Sequence, residues 1–324
     1  MKNSPNRHRA FVKLSVLAVL SLFVLTSSLT AQVSLRRALD YDGDGKADAA
    51  VFRPSNNTWY ILRSGGNGFI SRQFGVSTTD VFTPGDYDGD GRGDIAVWRD
   101  TDGTFYFLRS SNDTFGAMQW GATGDEPVAR NWDGAATSAT EFAVVRRTGN
   151  SMFWYIRNAD GTFRGEQFGI AADYIAPGDY DGDGVFDVGV QRITSNNGQA
   201  SFYYLTTNGR VCFGTQWGLS NDFVVPGDYD GDNKTDVAVM RETNGALFWY
   251  VKKSTDNQLL AYQWGTAATD YAAQGDYDGD NKTDVAVWRD AGGFFYVRKS
   301  GDGNLQAVNW GTSGDLPIAS SDSR

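Results

Sequence analysis

The stretch Asp86-Tyr87-Asp88-Gly89-Asp90-Gly91-Arg92-Gly93-Asp94 decides the fold, because it returns along the chain at a nearly constant interval. Aspartates occupy positions 1, 3, 5 and 9 of this loop, and positions 4 and 6 are glycine or asparagine in its copies. Further complete copies begin at Asp40, Asp179, Asp228 and Asp276. A degenerate copy, Asn131-Trp132-Asp133-Gly134, fills the double interval after the second loop. The six units recur every 45 to 49 residues, a period typical of propellers and solenoids.

Each unit repeats the same short phrases around its loop. In the second unit these are Val81-Phe82-Thr83-Pro84 before the loop, Ala96-Val97-Trp98-Arg99 after it, then Thr104-Phe105-Tyr106-Phe107-Leu108 and Gln119-Trp120-Gly121. Short runs rich in β-branched and aromatic residues, separated by Gly, Asn, Asp and Ser, predict strands. We therefore predict an all-β fold, a β-propeller of six four-stranded blades.

Two alternatives remain open at this stage. A parallel β-helix is the other solenoid, although its rungs are shorter than these units. The segment 314–319 resembles the opening strand of another blade. It is compatible with a six-bladed ring that closes beside residues 34–39, and with a seven-bladed ring that has an incomplete blade.

Residues 1–31 have the composition of a secretory signal peptide. Basic residues precede an almost wholly apolar run from Leu14 to Leu25, and small residues follow it. An uncleaved anchor is the alternative. We expect residues 32–324 to form a single propeller domain, with units starting near 34, 80, 125, 173, 222 and 270. The predicted location is extracytoplasmic: periplasm, cell surface or medium, without a membrane span after cleavage.

Charge and composition exclude several classes of function. Removing residues 1–31 leaves 25 basic and 39 acidic residues, a net charge of −14, which argues against binding to nucleic acid or anionic lipid. The only histidine is His8, so the remaining chain has no histidine-based nucleophile system, zinc site or acid–base group. The only cysteine, Cys212, lies in a predicted strand and is interpreted as a buried, inert thiol.

The acidic loops predict bound Ca²⁺. Several carboxylates in one short loop repel each other unless a cation lies between them, and Ca²⁺ prefers many oxygen ligands. We predict about five structural ions, held by the aspartates at positions 1, 3, 5 and 9 and by the position 7 carbonyl. The aspartates are Asp40, Asp42, Asp44, Asp48, Asp86, Asp88, Asp90, Asp94, Asp179, Asp181, Asp183, Asp187, Asp228, Asp230, Asp232, Asp236, Asp276, Asp278, Asp280 and Asp284. The position 7 residues are Lys46, Arg92, Val185, Lys234 and Lys282. The third unit keeps only Asn131 and Asp133, so we predict no tight site there.

The phrase Gly85-Asp86-Tyr87-Asp88-Gly89-Asp90, with the apolar run that follows it, resembles the FG-GAP and VCBS-type repeats, relatives of the integrin α-subunit propeller. The resemblance covers nearly all of the chain after residue 31. It implies a propeller in which the loop joins the first and second strands of a blade and binds Ca²⁺. The family includes adhesion proteins, lectins and non-catalytic modules of enzymes, so it does not fix a function.

Three other sets of residues recur. An arginine ends the second strand of every unit: Arg53, Arg99, Arg146, Arg192, Arg241 and Arg289. An aspartate follows every Gln-Trp-Gly or equivalent phrase: Asp80, Asp125, Asp173, Asp222, Asp270 and Asp315. We predict charge-assisted pairs between these two sets that lock strands or blades, with an arginine ring facing a ligand as the alternative. For Trp120, Trp217, Trp264 and Trp310 we favour packing between blades over stacking on sugars.

The favoured function is a secreted or surface binding and adhesion module, non-catalytic and monomeric, for a glycan or an extracellular protein. The alternatives are a polysaccharide lyase or hydrolase and a structural protein of the envelope or matrix. A hydrolase needs two suitably placed carboxylates. The acidic residues outside the complete loops include four glutamates, and each glutamate is interpreted as an ordinary surface turn residue: Glu126, Glu141, Glu166 and Glu242.

Overall fold

The protein is a six-bladed β-propeller, as the repeat predicts. The computed structural model describes residues 38–318 except 67, 135–138, 196, 208 and 210, so the predicted signal peptide lies outside the described residues. These residues form six four-stranded antiparallel sheets and no helix. Accordingly, none of them belongs to a helix long and apolar enough to cross a membrane.

The strands are numbered in chain order and take equivalent places in the six blades. The first strands are β4 (Asp80–Phe82), β8 (Glu126–Pro127), β12 (Tyr174–Ile175), β16 (Phe223–Val224), β20 (Asp270–Ala272) and β24 (Leu316–Pro317). The second strands are β1 (Ala49–Arg53), β5 (Ile95–Arg99), β9 (Phe142–Thr148), β13 (Val188–Ile193), β17 (Val237–Thr243) and β21 (Val285–Arg289). The third strands are β2 (Thr58–Leu62), β6 (Thr104–Leu108), β10 (Ser151–Arg157), β14 (Gln199–Leu205), β18 (Ala246–Lys252) and β22 (Phe294–Arg298). The fourth strands are β3 (Phe69–Gln73), β7 (Phe115–Gln119), β11 (Phe163–Gln167), β15 (Val211–Leu219, which contains Cys212), β19 (Leu259–Thr266) and β23 (Leu305–Asn309).

The apolar pattern of each strand follows its place in the blade. The second strands, such as Ile95–Arg99, are buried on both faces by neighbouring blades and therefore have continuous apolar runs. The third strands alternate, so that Trp59 and Ile61 of β2 are buried between half-buried neighbours. The fourth strands alternate between exposed and half-buried residues at the outer edge of the blade, as in Leu305–Asn309.

The ring closes within the first blade. The first strand of that blade is β24, near the end of the chain, and it pairs antiparallel with β1 through Val51↔Pro317 and Phe52↔Leu316. The segment that resembled the opening of another blade thus completes a six-bladed ring, and the described residues form no seventh sheet.

All six predicted arginine–aspartate pairs form. Each joins the first and second strands of one blade, as when Arg99 Nε and Nη2 donate to the two oxygens of Asp80 at 2.8 and 2.9 Å. The same pair in the first blade, Arg53 with Asp315, ties the closing strand to β1. Each guanidinium also lies 4.4–5.1 Å from the ring centre of a third-strand tyrosine, a cation–π arrangement. The aspartate side chains are almost completely buried, so the pairs are structural and lock strands rather than adjacent blades.

The tryptophans of the Gln-Trp-Gly phrases pack between blades, as favoured from the sequence. Trp120 Nε1 donates a 3.0 Å hydrogen bond to the Tyr155 carbonyl on the third strand of the next blade. Trp217, Trp264 and Trp310 make the same bond to the following blade at 2.9–3.1 Å. The bond from Trp310 to Tyr60 therefore spans the boundary where the ring closes.

We predict that Asp315→Ala destabilises the protein more than Asp80→Ala. Loss of either carboxylate leaves an arginine without its partner and removes two charge-assisted hydrogen bonds. The free energy of unfolding should fall by about 2 kcal/mol. β24, beside Asp315, pairs with β1 at only two positions and lies far from β1 along the chain. In contrast, β4, which contains Asp80, pairs with β5 at three positions and is joined to it by the acidic loop. Urea denaturation measures both free energies of unfolding.

Asp113→Asn is the control for this comparison, because asparagine tolerates the positive φ of 55° at this position. Asp113 pairs with Arg72, and both side chains are largely exposed, so its loss should cost under about 1 kcal/mol. Equal destabilisation by Asp315→Ala and Asp80→Ala would contradict the special role of the closing strand.

Candidate metal centre

The acidic loops and the turns between third and fourth strands lie at the same end of each blade. In an antiparallel sheet, the connections between strands one and two and between strands three and four must share one end. In the second blade, the Ser110 N–H donates to Asp94 Oδ1 at 2.6 Å and its hydroxyl donates to Asp90 Oδ1 at 3.0 Å. The later turn thus covers the acidic loop of its own blade.

The position 1 side chain organises the turn of each loop. Asp86 Oδ1 accepts the Gly89 N–H at 2.7 Å, and its Oδ2 accepts the Gly91 N–H at 2.9 Å. Both glycines have positive φ, near 75° and 89°, a conformation that glycine and asparagine adopt most readily. This explains why Asn233 and Asn281, also at positive φ, are the only other residue type at position 6.

The position 9 aspartate connects three parts of the site. In the second blade, Asp94 Oδ2 accepts the Tyr87 N–H at 2.8 Å, while its Oδ1 accepts the Ser110 N–H. Equivalent pairs of bonds hold Asp48, Asp187, Asp236 and Asp284. All five carboxylates are buried and fixed by backbone donors before any cation is considered.

Within each complete loop, three aspartates bring ligand oxygens within 4.8 Å of one another. In four loops these are positions 1, 3 and 9, and the groups are Asp40, Asp42, Asp48; Asp179, Asp181, Asp187; Asp228, Asp230, Asp236; and Asp276, Asp278, Asp284. In the second blade they are positions 1, 3 and 5, Asp86, Asp88 and Asp90. Five aspartate groups that could hold metal ions therefore occur where the sequence predicts them.

The electrostatics of these groups favour a cation. Burial raises the pKa of the five position 9 aspartates to between about 6 and about 8. In the fourth blade, burial and then the charges of Asp181, Asp179 and Asp183 raise the pKa of Asp187 to about 8. Burying ionised carboxylates together is unfavourable, and a divalent cation among them would offset both the desolvation and the repulsion.

The position 5 aspartates and position 7 residues have further contacts. In the first blade, Asp44 Oδ1 accepts the Lys46 N–H and the Ser64 hydroxyl, both at 2.9 Å. In the second blade, the Arg92 guanidinium binds Asp90 of its own loop at 2.6 Å. The assignment of the position 5 carboxylates and position 7 carbonyls as ligands stays a prediction.

The structure of the third blade corrects the interpretation of Glu141. Glu141, placed in a surface turn by sequence reasoning, is 2% exposed and occupies position 9: its carboxylate accepts the Trp132 N–H, as Asp94 accepts that of Tyr87. Burial raises the pKa of Glu141 to about 8. The loop is two residues longer than the others, which hid the match, but Glu141 precedes Phe142-Ala143-Val144 as Asp94 precedes Ile95-Ala96-Val97.

The other three glutamates lie in strands rather than in turns. Glu126 of β8 pairs with Arg147, Glu166 lies in β11, and Glu242 is exposed on β17. Glu141 is too buried to reach a polysaccharide.

One backbone hydrogen bond joins each loop to the next. The position 8 N–H of every loop donates to the position 1 carbonyl of the preceding loop, at 2.6–3.0 Å: Ala47 to Asp276, Gly93 to Asp40, Thr140 to Asp86, Phe186 to Asn131, Thr235 to Asp179, and Thr283 to Asp228. These six bonds form a closed cycle around the ring. The approach is close enough that a Cβ on Gly85 would lie 2.6 Å from Thr140 Oγ1, which explains the glycine before Asp86.

Comparisons with known proteins agree with this architecture. A family model described as an FG-GAP-like repeat matches residues 40–97, and the six blades with their aspartate groups fit an FG-GAP propeller. No curated protein matches the sequence significantly.

Two solved structures match this chain. A lectin from Agrocybe aegerita, described as recognising non-reducing terminal N-acetylglucosamine, is 16% identical with a TM-score of 0.50, over 82% of this chain and 90% of the lectin. A protein of unknown function from Desulfotomaculum acetoxidans is 13% identical with a TM-score of 0.45, over 81% of this chain and 78% of that protein.

We predict that chelation lowers the melting temperature and that metal analysis finds about five Ca²⁺ per chain, one for each aspartate group. Ions that bind only the folded state add their binding free energy to its stability. Asp228→Asn should remove one ion, because it weakens a position 1 ligand while preserving the shape of the side chain.

Asp133→Asn, at position 3 of the third loop, is the control and should leave the ion count unchanged. An equal loss of metal from both variants, or no metal in the wild type, would contradict the assignment of the five groups.

Proposed function

We propose that this protein is an extracytoplasmic, calcium-stabilised propeller that acts as a non-catalytic binding module for glycans. The observation that carries the proposal is a repeated aromatic platform on the fourth strands of the first three blades. The phenylalanines that begin these strands are among the most exposed large apolar side chains of the described residues: Phe69, Phe115 and Phe163 are 58%, 60% and 69% exposed.

Each phenylalanine rests against an aromatic residue of the preceding blade. Phe69 lies 5.5 Å from Trp310, Phe115 lies 6.5 Å from Phe74, and Phe163 lies 5.9 Å from Trp120, measured between ring centres. The inner ring of each pair is half-buried between blades, so the outer ring is held in place while more than half of its surface is exposed. A rigid exposed ring binds the C–H face of a sugar at little entropic cost.

Polar groups flank the ring along the same face of the strand. Two and four residues after Phe115 are Ala117 and Gln119, both exposed, and Tyr106 of the third strand lies in register with Ala117. The small residue leaves room between the ring and the exposed amide, which can both donate to and accept from sugar hydroxyls. The other two blades repeat this arrangement with Ser71 and Gln73, and with Gly165 and Gln167.

Three neighbouring platforms suit a branched or repeating glycan, because several weak contacts on one ligand raise its avidity. The acidic surface, with 39 acidic against 29 basic residues in the full chain, favours neutral or amino sugars over anionic ones. The recognition of terminal N-acetylglucosamine by the Agrocybe aegerita lectin supports the same class of ligand. The predicted signal peptide supports export, and the absence of histidine after residue 31 supports a role without catalysis.

The decisive test is binding of the protein lacking residues 1–31 to a glycan array in Ca²⁺, followed by the triple variant Phe69→Leu, Phe115→Leu and Phe163→Leu. We expect binding in the micromolar range and its loss, at least tenfold, in the variant, because leucine keeps the apolar volume but removes the ring face. Blades five and six carry Leu259 and Leu305 at this position, so the substitution is compatible with the fold.

The matched control is Leu259→Ser with Leu305→Ser, which removes similarly exposed apolar side chains without removing a ring. It should leave glycan binding unchanged. Binding of the wild type to an extracellular protein but to no glycan, or turnover of a polysaccharide, would contradict the proposal.

A further inference from the structure

The side chain at position 7 of each acidic loop crosses a blade boundary. It lies on the position 4 glycine of the preceding blade's loop, so closely that a Cβ added to that glycine would meet it. The distance from this Cβ position is 2.8 Å to Lys282 Cε at Gly231, 2.9 Å to Lys234 Cε at Gly182, and 3.1 Å to Lys46 Cγ at Gly279. The stem of Arg92 covers Gly43 in the same way, at 3.1 Å. The position 7 side chains therefore lie on the acidic loop of the preceding blade.

The chemistry of the covering residue matches the loop that it covers, not the loop that carries it. Lysine or arginine covers the complete acidic loops at Asp40, Asp179, Asp228 and Asp276. Val185, although carried by a complete loop, covers Gly134 of the degenerate third loop, at 2.7 Å. Among the five complete loops, the one uncharged position 7 residue thus faces the loop with the fewest aspartates. The third loop has no Lys or Arg between Gly134 and Glu141, so it supplies no such cation to the loop at Asp86. If only the position 7 backbone carbonyl were a ligand, the side chain at this position could vary freely. The contact with the loop of the preceding blade explains why it varies as it does.

We propose that Lys46, Lys234 and Lys282 are tethered counter-ions for the acidic loop of the preceding blade, which stabilise the metal-free ring and tune the affinity of that loop for Ca²⁺. The inference rests on the metal sites and is independent of the glycan platform.

The lysine charge acts without a direct ion pair. Within the described residues, none of the three ammonium groups lies within 4 Å of a carboxylate in a salt bridge, but each lysine stem lies over the turn that carries the aspartates of the preceding loop. A cation at this range offsets part of the repulsion among buried carboxylates when no metal is bound. The same cation repels an arriving Ca²⁺. The lysine charge thus stabilises the metal-free protein and weakens Ca²⁺ binding. These two changes can be measured separately.

Arg92 differs in one respect. Its stem covers Gly43, but its guanidinium returns to Asp90 of its own loop. The test therefore uses the three lysines, whose ammonium groups form no such pair among the described residues.

The experiment compares the wild type with the triple variant Lys46→Met, Lys234→Met and Lys282→Met. Methionine keeps the aliphatic stem over the glycine and removes the charge. We expect a lower melting temperature in chelator and a several-fold lower Ca²⁺ concentration at the midpoint of calcium stabilisation. The control triple Arg72→Met, Lys252→Met and Lys299→Met removes the same net charge from residues outside position 7 and should move neither quantity as far.

The contrary results are distinct. Equal destabilisation of the variant in chelator and in saturating Ca²⁺ would assign the lysines to packing alone. If both triple variants show the same shifts, the effect comes from the net charge and not from the position of the lysines. Either result would overturn the proposal, and so would a wild type without calcium stabilisation. None of these results bears on glycan binding, which is measured separately through the phenylalanine variants.

Discussion

The molecule depends on a cycle of six backbone hydrogen bonds in which each acidic loop donates to the loop before it. These bonds set the distance between blades at the point where buried carboxylates are most concentrated. The position 1 residue contributes its carbonyl to the cycle and its side chain to the turn and the aspartate group. Blade packing and the geometry of the candidate metal sites are thus fixed by the same backbone. The position 1 residues are thus held in place by the contact between blades, whether or not a cation is bound.

The remaining contacts divide between the two ends of the blades. The acidic loops and the turns that cover them occupy one end, and the arginine–aspartate pairs occupy the other, where each pair closes the first strand onto the second. Tryptophan hydrogen bonds tie the outer strands to the next blade. Each blade is therefore held at its loop end, at its opposite end and at its outer edge, and the fourth strand presents most of the exposed apolar side chains to solvent. The exposed side chains of the fourth strands carry the proposed recognition surface, whereas the tryptophans in or beside these strands contribute to packing between blades.

Sequence reasoning predicted those features that repeat within a unit. The period and the strand phrases indicated six blades, and the sixfold recurrence of arginine and aspartate indicated pairs such as Arg99 with Asp80, because partners in one hairpin keep a constant separation. It missed Glu141, because two extra residues in the third loop shift position 9. It also missed that the position 7 side chains lie on the loop of the preceding blade, because no pattern within one unit reveals what lies across a blade boundary. The sequence was compatible with both six and seven blades, because the opening motif at the end of the chain would serve either ring.

The pairing of Val51 with Pro317 has a consequence for the order of folding. Five blades are assembled from contiguous segments, and each can form as soon as its own segment is available, at the small entropic cost of short loops. The first blade cannot, because its β-sheet lacks one strand until nearly the whole chain has been released. A chain that is synthesised or exported from its N-terminus therefore holds an open arc with an unpaired edge at β1 until the last step. That edge can pair with the closing strand of another copy, so this one boundary is where domain swapping would begin.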